Sequence, residues 1–158
     1  MFFPRWNPRL RRFSPALAVV LIALAGCGGK SVETVKVQGT VTYKGQPVKQ
    51  GDIAFQPVEI GEGRPRRAAV GKIDPQGTYS LSTFAPGDGV IPGEYKVVII
   101  SREKPKSYEI TEAEAAALKS YVPLVYGETA KTPLKESIAS DAAEPLQLNF
   151  NLEGELPN

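Results

Sequence analysis

The sequence contains no histidine, one cysteine and one tryptophan among its 158 residues. Without histidine, the chain lacks the Ser/His/Asp and Cys/His nucleophile systems, imidazole zinc sites and the usual proton shuttle at neutral pH. A single cysteine excludes an intrachain disulfide and a thiolate metal cluster. The length suits one domain, and 42% hydrophobic residues is too many for a disordered chain. We therefore expect a folded, non-catalytic protein without metal or cofactor.

Residues 1–26 have the pattern of an export signal. Four arginines precede an uncharged apolar run over residues 16–25. As a helix this run would span about 15 Å, half of a hydrocarbon core of about 30 Å. The pair Arg11-Arg12 raises the alternative of twin-arginine export, but Phe13-Ser14-Pro15 matches that signal poorly. General secretion is therefore favoured.

The apolar run ends in Leu24-Ala25-Gly26-Cys27, which resembles the bacterial lipobox. In lipoproteins of this type the bond between Gly26 and Cys27 is cut, and the thiol accepts diacylglycerol. The alternative is an ordinary signal peptide with a chance cysteine. The lipobox predicts a membrane anchor at Cys27, and Gly28 in place of Asp favours the outer over the inner membrane.

Removal of residues 1–26 changes the charge balance. Four of the 19 basic residues and none of the 17 acidic residues are lost, which turns the net charge from +2 to −2. Nucleic acid is therefore not an expected partner. Residues 27–34 are small and polar and suit a lipidated tether, so the domain is expected over residues 35–158.

The rest of the chain has apolar residues at every second position, which indicates half-buried strands. Gly39 interrupts the first run, where a bulge or a close backbone contact is expected. The in-phase residues are Val35, Val37, Val41, Tyr43, Ile53, Phe55, Tyr79, Leu81, Tyr95, Val97, Ile99, Leu146, Leu148, Phe150 and Leu152. The aromatic residues among them are predicted to pack in the core.

Turn signals separate these runs. Asp74-Pro75-Gln76-Gly77 predicts a type I turn in a hairpin of residues 70–73 and 78–82. Lys44-Gly45-Gln46-Pro47 predicts a second reversal, in which Gly45 is the first or the second central residue. Pro86-Gly87-Asp88-Gly89 and Pro92-Gly93 predict loops. Seven short strands at this spacing predict an all-β fold, a β-sandwich.

One segment departs from the strand pattern. Thr111-Glu112-Ala113-Glu114 predicts a capping box that opens a short helix through about Lys119, within a late crossover. Residues 120–144 have no clear periodicity and are expected to cross from one sheet edge to the other.

The order of the strand and turn motifs resembles that of carboxypeptidase-regulatory-like, or transthyretin-like, domains. The motifs are VQGTVTY at 37–43, GDIAF at 51–55, GTYSL at 77–81 and PGEYKV at 92–97. Tyr126, the Thr-Pro-Leu at 132–134 and the Phe-Asn-Leu at 150–152 are similar to the end of small lipoproteins abundant in planctomycetes. The resemblance implies a seven-stranded prealbumin-like sandwich with Greek-key connections, and no catalysis.

Ligand-binding candidates are aromatic and basic. Phe84, Tyr108, Tyr121 and Tyr126 lie outside clear strands, so they could stack on a sugar or peptide, or instead plug the ends of the sandwich. Arg64, Arg66 and Arg67 could contact an anionic polymer or lipid headgroup, or instead balance nearby glutamates. Asp52, Asp74 and Asp88 are isolated, which favours turn and surface roles over calcium binding or paired-carboxylate hydrolysis.

These observations favour an envelope lipoprotein that presents a non-catalytic β-sandwich as a binding or scaffolding module. The alternative is a carbohydrate-binding module at the cell surface. A transthyretin-like ring-opening hydrolase is disfavoured because such enzymes use histidines. The expected partners are the membrane, through the lipid anchor, and an envelope protein or a glycan.

Overall fold

A computed structural model of the chain describes residues 32–105, 107 and 109–157. The predicted export signal, Gly26, Cys27 and Tyr108 therefore lie outside the described residues. The described chain forms nine strands, which are β1 (Val37–Tyr43), β2 (Gln46–Pro47), β3 (Gly51–Ile60), β4 (Ala69–Ile73), β5 (Thr78–Ser80), β6 (Gly93–Ile100), β7 (Lys135–Ile138), β8 (Leu146–Gln147) and β9 (Phe150–Leu152). An α-helix, α1 (Glu112–Ala117), and a 3-10 helix (Leu124–Gly127) lie between β6 and β7.

The strands form two sheets, which confirms the predicted all-β class. In the first sheet β1 is central and pairs antiparallel with β2 and β5 and parallel with β8 and β9. The second sheet has the order β4-β3-β6-β7, and every pair in it is antiparallel. The predicted count of seven strands is not confirmed, because the described residues contain nine.

One source of the extra strands is the last apolar run, which is divided into β8 and β9. The division lies beside Gly39 of β1, where a Cβ atom would be 1.8 Å from the carbonyl oxygen of Leu148. Only glycine allows the backbone of Leu148 to approach β1 this closely. The predicted close backbone contact at Gly39 is therefore confirmed.

The apolar faces of the two sheets share one core. The Phe55 ring of β3 lies 6.3 Å from the Phe150 ring of β9 and 5.9 Å from the Tyr95 ring of β6. Phe150 in turn stacks on Tyr79 of β5 at 6.3 Å. The prediction of core aromatic residues is confirmed, with Tyr43 half-buried at the edge. Among the described residues, the buried members of this core lie between Val35 and Leu152.

The turn from Asp74 to Gly77 connects the two sheets. The Gly77 amide donates to the Asp74 carbonyl oxygen, and the Asp74 carboxylate accepts from the amides of Gln76 and Thr78 at 2.9 and 2.8 Å. These side-chain bonds lower the pKa of Asp74, the Thr78 hydroxyl having the largest effect. The predicted turn is confirmed, and the predicted hairpin keeps an antiparallel bridge between Val70 and Ser82, although β4 and β5 belong to different sheets.

Two further turns have glycine in the left-handed region. Lys44 and Gly45 both have positive φ, 48° and 78°, so Gly45 is the second central residue of the turn between β1 and β2. Gly89 has a φ of 99°, and a Cβ there would be 2.0 Å from the Val35 carbonyl oxygen. The predicted loop at Pro92-Gly93 ends at Pro92, because Gly93 already begins β6.

The predicted capping box at the start of α1 is confirmed. The Thr111 hydroxyl accepts from the Glu114 amide, and the Glu114 carboxylate accepts from the Thr111 amide at 2.8 Å. The helix ends at Ala117 rather than near Lys119, because the Lys119 carbonyl oxygen accepts from the Glu103 amide in strand-like pairing. No helix in the described part of the chain is long and apolar enough to cross a membrane.

The segment of residues 120–144, predicted to be a crossover without periodicity, contains β7. This strand is an edge of the second sheet, and only Ile138 of its residues is buried. Glu136 lies at an alternate position with Ile138 and is half-buried. A carboxylate at an inward position obscures the alternating pattern, and it is also a common protection of edge strands. The sequence therefore did not reveal β7.

Candidate functional site

A groove with a volume of about 410 Å³ lies where β1, β2 and the start of β3 meet the end of β6. Its surface is mainly apolar, and its volume falls within the range of about 300–1,000 Å³ typical of small-molecule sites. The lining residues are Tyr43, Gln46, Pro47, Val48, Lys49, Gln50, Ser101 and Tyr121. We call this the Tyr43/Tyr121 groove.

Two tyrosines from distant parts of the chain give the groove its aromatic character. Tyr43 is the last residue of β1, and its hydroxyl donates to the Gly154 carbonyl oxygen at 2.9 Å, which fixes the ring. Tyr121 lies beside Ser101, because the Tyr121 amide donates a hydrogen bond of 2.8 Å to the Ser101 carbonyl oxygen. The Tyr121 side chain remains 38% exposed. The groove thus offers one fixed ring and one accessible ring.

One lysine lies near each of these rings, and a third lysine lines the groove. The Nζ of Lys44 lies 5.4 Å from the Tyr43 ring centre, and the Nζ of Lys119 lies 5.9 Å from the Tyr121 ring centre. Lys49 is exposed and contributes directly to the lining. The Tyr43 side chain and then the Glu155 carboxylate raise the pKa of Lys44, so this lysine remains charged at neutral pH.

Polar groups at the base of the groove are mostly engaged within the protein. The Ser101 hydroxyl donates to the Gln50 carbonyl oxygen at 2.5 Å, and the Gln50 side-chain amide donates to the Arg102 carbonyl oxygen at 2.8 Å. These bonds join the start of β3 to the end of β6. The base is therefore rigid, while Gln46 and Lys49 lie exposed at its margin.

Of the predicted aromatic candidates, Phe84, Tyr121 and Tyr126 are among the described residues, and these three lie in different surroundings. Phe84 is 46% exposed, and it contacts Arg67 rather than Tyr121, with the guanidinium 5.2 Å from the ring centre. Tyr126 is buried, and its hydroxyl donates to the Glu153 carbonyl oxygen at 3.0 Å. Tyr126 is therefore a core residue, and Tyr121 is the predicted candidate that lines the groove.

The three predicted arginine candidates each have a contact within the domain. Arg64 forms an ion pair with Glu33 at 3.3 Å. Arg66 donates to the carbonyl oxygens of Pro57 and Val58 at 3.1 and 2.9 Å, beside the β-bulge of β3. Together with the contact of Arg67 with Phe84, these interactions hold the loop between β3 and β4. A ligand-binding role for these arginines stays a prediction.

The acidic residues have structural contacts. Asp52 pairs with Lys72 across neighbouring strands. The Asp88 carboxylate accepts from the amides of Thr83, Phe84 and Ala85 at 2.7, 2.9 and 2.9 Å. Partial burial opposes ionisation of Asp88, but the three amides outweigh it and lower its pKa. Within the described ranges, no group of three or more acidic or cysteine side chains could hold a metal ion.

Sequence reasoning did not include Tyr43, Lys44, Lys49 or Lys119 among the binding candidates. Tyr43 is in phase with its strand, which predicts a core residue, but in the fold it is only partly buried. The lysines are isolated in the sequence, so nothing local indicates that Lys49 lines the groove or that Lys44 and Lys119 lie near two of its rings. The location of Lys119 and Tyr121 depends on the pairing of residues 101–103 with residues 119–121.

Comparisons with known proteins did not identify the chain: no family model matches it, and no curated protein or solved structure matches it.

Proposed function

We propose that the chain is an exported lipoprotein, anchored through acylated Cys27, that presents the two-sheet domain as a non-catalytic binding or scaffolding module in the cell envelope. The observation that carries the proposal is the short sequence distance between the lipobox and the first described residues of the domain. Val35 is buried and pairs with Val90, and Glu33 already contacts Arg64. Only a few residues separate Cys27 from the domain, so an anchor there would hold the domain at the membrane surface.

The finer fold assignment belongs to the same proposal. We infer a prealbumin-like, carboxypeptidase-regulatory-like domain with Greek-key connections. Support comes from neighbouring strands that are distant in sequence, since β1 lies beside β5 and β9, and β3 lies beside β6. The order of the sequence motifs supports the same assignment. In this family the domain has no catalytic residues of its own, which agrees with the lack of histidine.

Metabolic labelling with a palmitate analogue tests the anchor. The wild-type chain should be labelled and recovered with membranes, and fractionation should place it in the outer membrane. A Cys27→Ser variant should lose the label. The matched control is Ser31→Ala, which changes a small residue of the tether and should leave labelling intact. An unlabelled wild-type protein, or equal labelling of the Cys27→Ser variant, would contradict the proposal.

A carbohydrate-binding role at the cell surface is the second candidate function. The observation that favours it is the exposed ring of Tyr121 in the Tyr43/Tyr121 groove. Aromatic faces stack on the apolar face of a sugar ring, and exposed amide and ammonium groups can bind its hydroxyls. A glycan array probed with the wild-type domain and a Tyr121→Ala variant tests this role. Lack of signal for every glycan would contradict it.

A further inference from the structure

We infer that the Tyr43/Tyr121 groove binds an acidic glycan, a polysaccharide that contains uronic acid residues. This inference rests on the proposed role of the domain as a binding module and adds the chemical class of the ligand. It does not depend on acylation of Cys27. The two proposals can therefore fail separately.

The charge around the groove is the first argument. Lys49 lines the groove, and the ammonium groups of Lys44 and Lys119 lie within 6 Å of the centres of the two lining rings. None of the lining residues is acidic. The neighbouring carboxylates are Glu155, 3.9 Å from Lys44 and with a side chain 96% exposed, and Glu153, which has a smaller effect on Lys44. An exposed pair at this distance is weak, so Lys44 is available to an anionic ligand.

The placement of charge beside aromatic rings is the second argument. A uronic acid ring has an apolar face of C–H groups and a carboxylate at its rim. Tyr121 would stack on the face, while Lys119 and Lys49 would bind the carboxylate. A neutral sugar would stack on the Tyr121 ring but would offer no anionic group to the lysines. The combination therefore favours an acidic over a neutral glycan.

The edge of the sheet argues against an acidic peptide. Extended peptides bind sheet edges through a ladder of backbone hydrogen bonds. Beside the groove the edge strand is β2, which has two residues, and one of them is Pro47. Proline has no amide hydrogen to donate, so β2 offers too short a ladder.

The experiment is titration calorimetry of residues 28–158, which include the compact unit of residues 32–158, with polygalacturonate oligomers. Neutral galactose oligomers and polyglutamate serve as comparison probes. We expect polygalacturonate to bind, the neutral oligomers to bind at least about fivefold more weakly, and polyglutamate to bind least. Added salt should weaken the binding of polygalacturonate, because exposed charges are screened.

Variants locate the ligand. Tyr121→Ala should weaken the binding of polygalacturonate about fivefold to tenfold through lost stacking. The double variant Lys49→Gln, Lys119→Gln should reduce it by about tenfold and remove the preference over neutral oligomers. Phe84→Ala removes an exposed aromatic ring elsewhere, and Lys72→Gln removes a lysine that pairs with Asp52. Both control variants should bind as the wild type does.

Three results would overturn the inference. The first is no binding of polygalacturonate by wild-type protein with a normal unfolding transition. The second is binding of the neutral oligomers, or of polyglutamate, as tight as the binding of polygalacturonate. The third is a loss of binding in Phe84→Ala or Lys72→Gln as large as that in Tyr121→Ala. Loss of palmitate labelling in the separate anchor experiment would leave the glycan result unaffected.

Discussion

The phenol of Tyr79 donates a hydrogen bond of 2.7 Å to the carbonyl oxygen of Leu148. Tyr79 belongs to β5, and Leu148 lies between β8 and β9, on the other side of the central strand β1. The same Leu148 carbonyl is the group that lies against Gly39. This bond therefore satisfies a backbone carbonyl at the point where β8 and β9 separate.

Loss of this hydroxyl should destabilise the fold. Tyr79 is 4% exposed, and burial raises its pKa, so the phenol stays protonated and donates throughout the ordinary pH range. We expect Tyr79→Phe to lower the free energy of unfolding by about 1–2 kcal/mol, measured by urea denaturation. Tyr43→Phe is the matched control, because its hydroxyl bonds a carbonyl oxygen at an exposed site, and it should cost less. A larger loss in the control would contradict this interpretation.

Gly39→Ala should be more damaging than any loss of a single hydrogen bond. The added methyl group would lie 1.8 Å from the Leu148 carbonyl oxygen, so β8 and β9 would have to move away from β1. We expect a loss of about 3 kcal/mol or more in thermal or urea unfolding. Gly61→Ala is the control, since the nearest atom to its Cβ is 4.0 Å away on the Arg64 side chain. Similar stabilities of the two variants would exclude the proposed close contact.

Asp88 should stabilise the loop between β5 and β6 in a pH-dependent way. Its folded pKa lies below the ordinary value of 3.8, so its contribution is present above that pH and is lost as the pH falls through the lowered value. Asp88→Asn should cost less than about 1 kcal/mol at pH 7, because solvent screens this partly exposed group, and less still near pH 3. Urea denaturation at both pH values measures this, with the exposed Asp141→Asn as the control. A cost independent of pH would contradict a role for the carboxylate charge.

Glu136 should have the opposite dependence on pH. Burial raises its pKa above the ordinary value of 4.5, so the folded protein binds the proton more tightly than the unfolded chain. Stability is therefore lost as the pH rises from 4.5 through the raised pKa. Glu136→Gln should be more stable than the wild type at pH 7 and about as stable as the wild type at pH 4. The gain at pH 7 should be less than about 1 kcal/mol, because solvent screens the Glu136 carboxylate. The control is Glu62→Gln at an exposed position, which should not change the free energy of unfolding at pH 7. An equal gain in stability in both variants would contradict this explanation.

Local features of the fold were accessible from the sequence. Alternation at every second residue identified the buried faces of β1, β3, β5, β6 and β9, because side chains of a strand point to opposite faces in turn. The turn at Asp74 and the capping box at Thr111 were also predicted, since each depends on hydrogen bonds within four residues. Of the candidate site, the sequence provided Tyr121.

The tertiary structure decided which of these segments meet. The parallel pairing of β1 with β8 and β9 joins the two ends of the domain, and the hidden strand β7 was recognisable only from its pairing with β6. The Tyr43/Tyr121 groove likewise exists because residues 119–121 pair beside Ser101, which brings Tyr121 into one groove with Tyr43. A local pattern specifies which face of a strand is apolar, whereas the partner of that strand depends on packing across the whole core. The sequence by itself therefore determined the strand faces and turns, and the folded core decided the site.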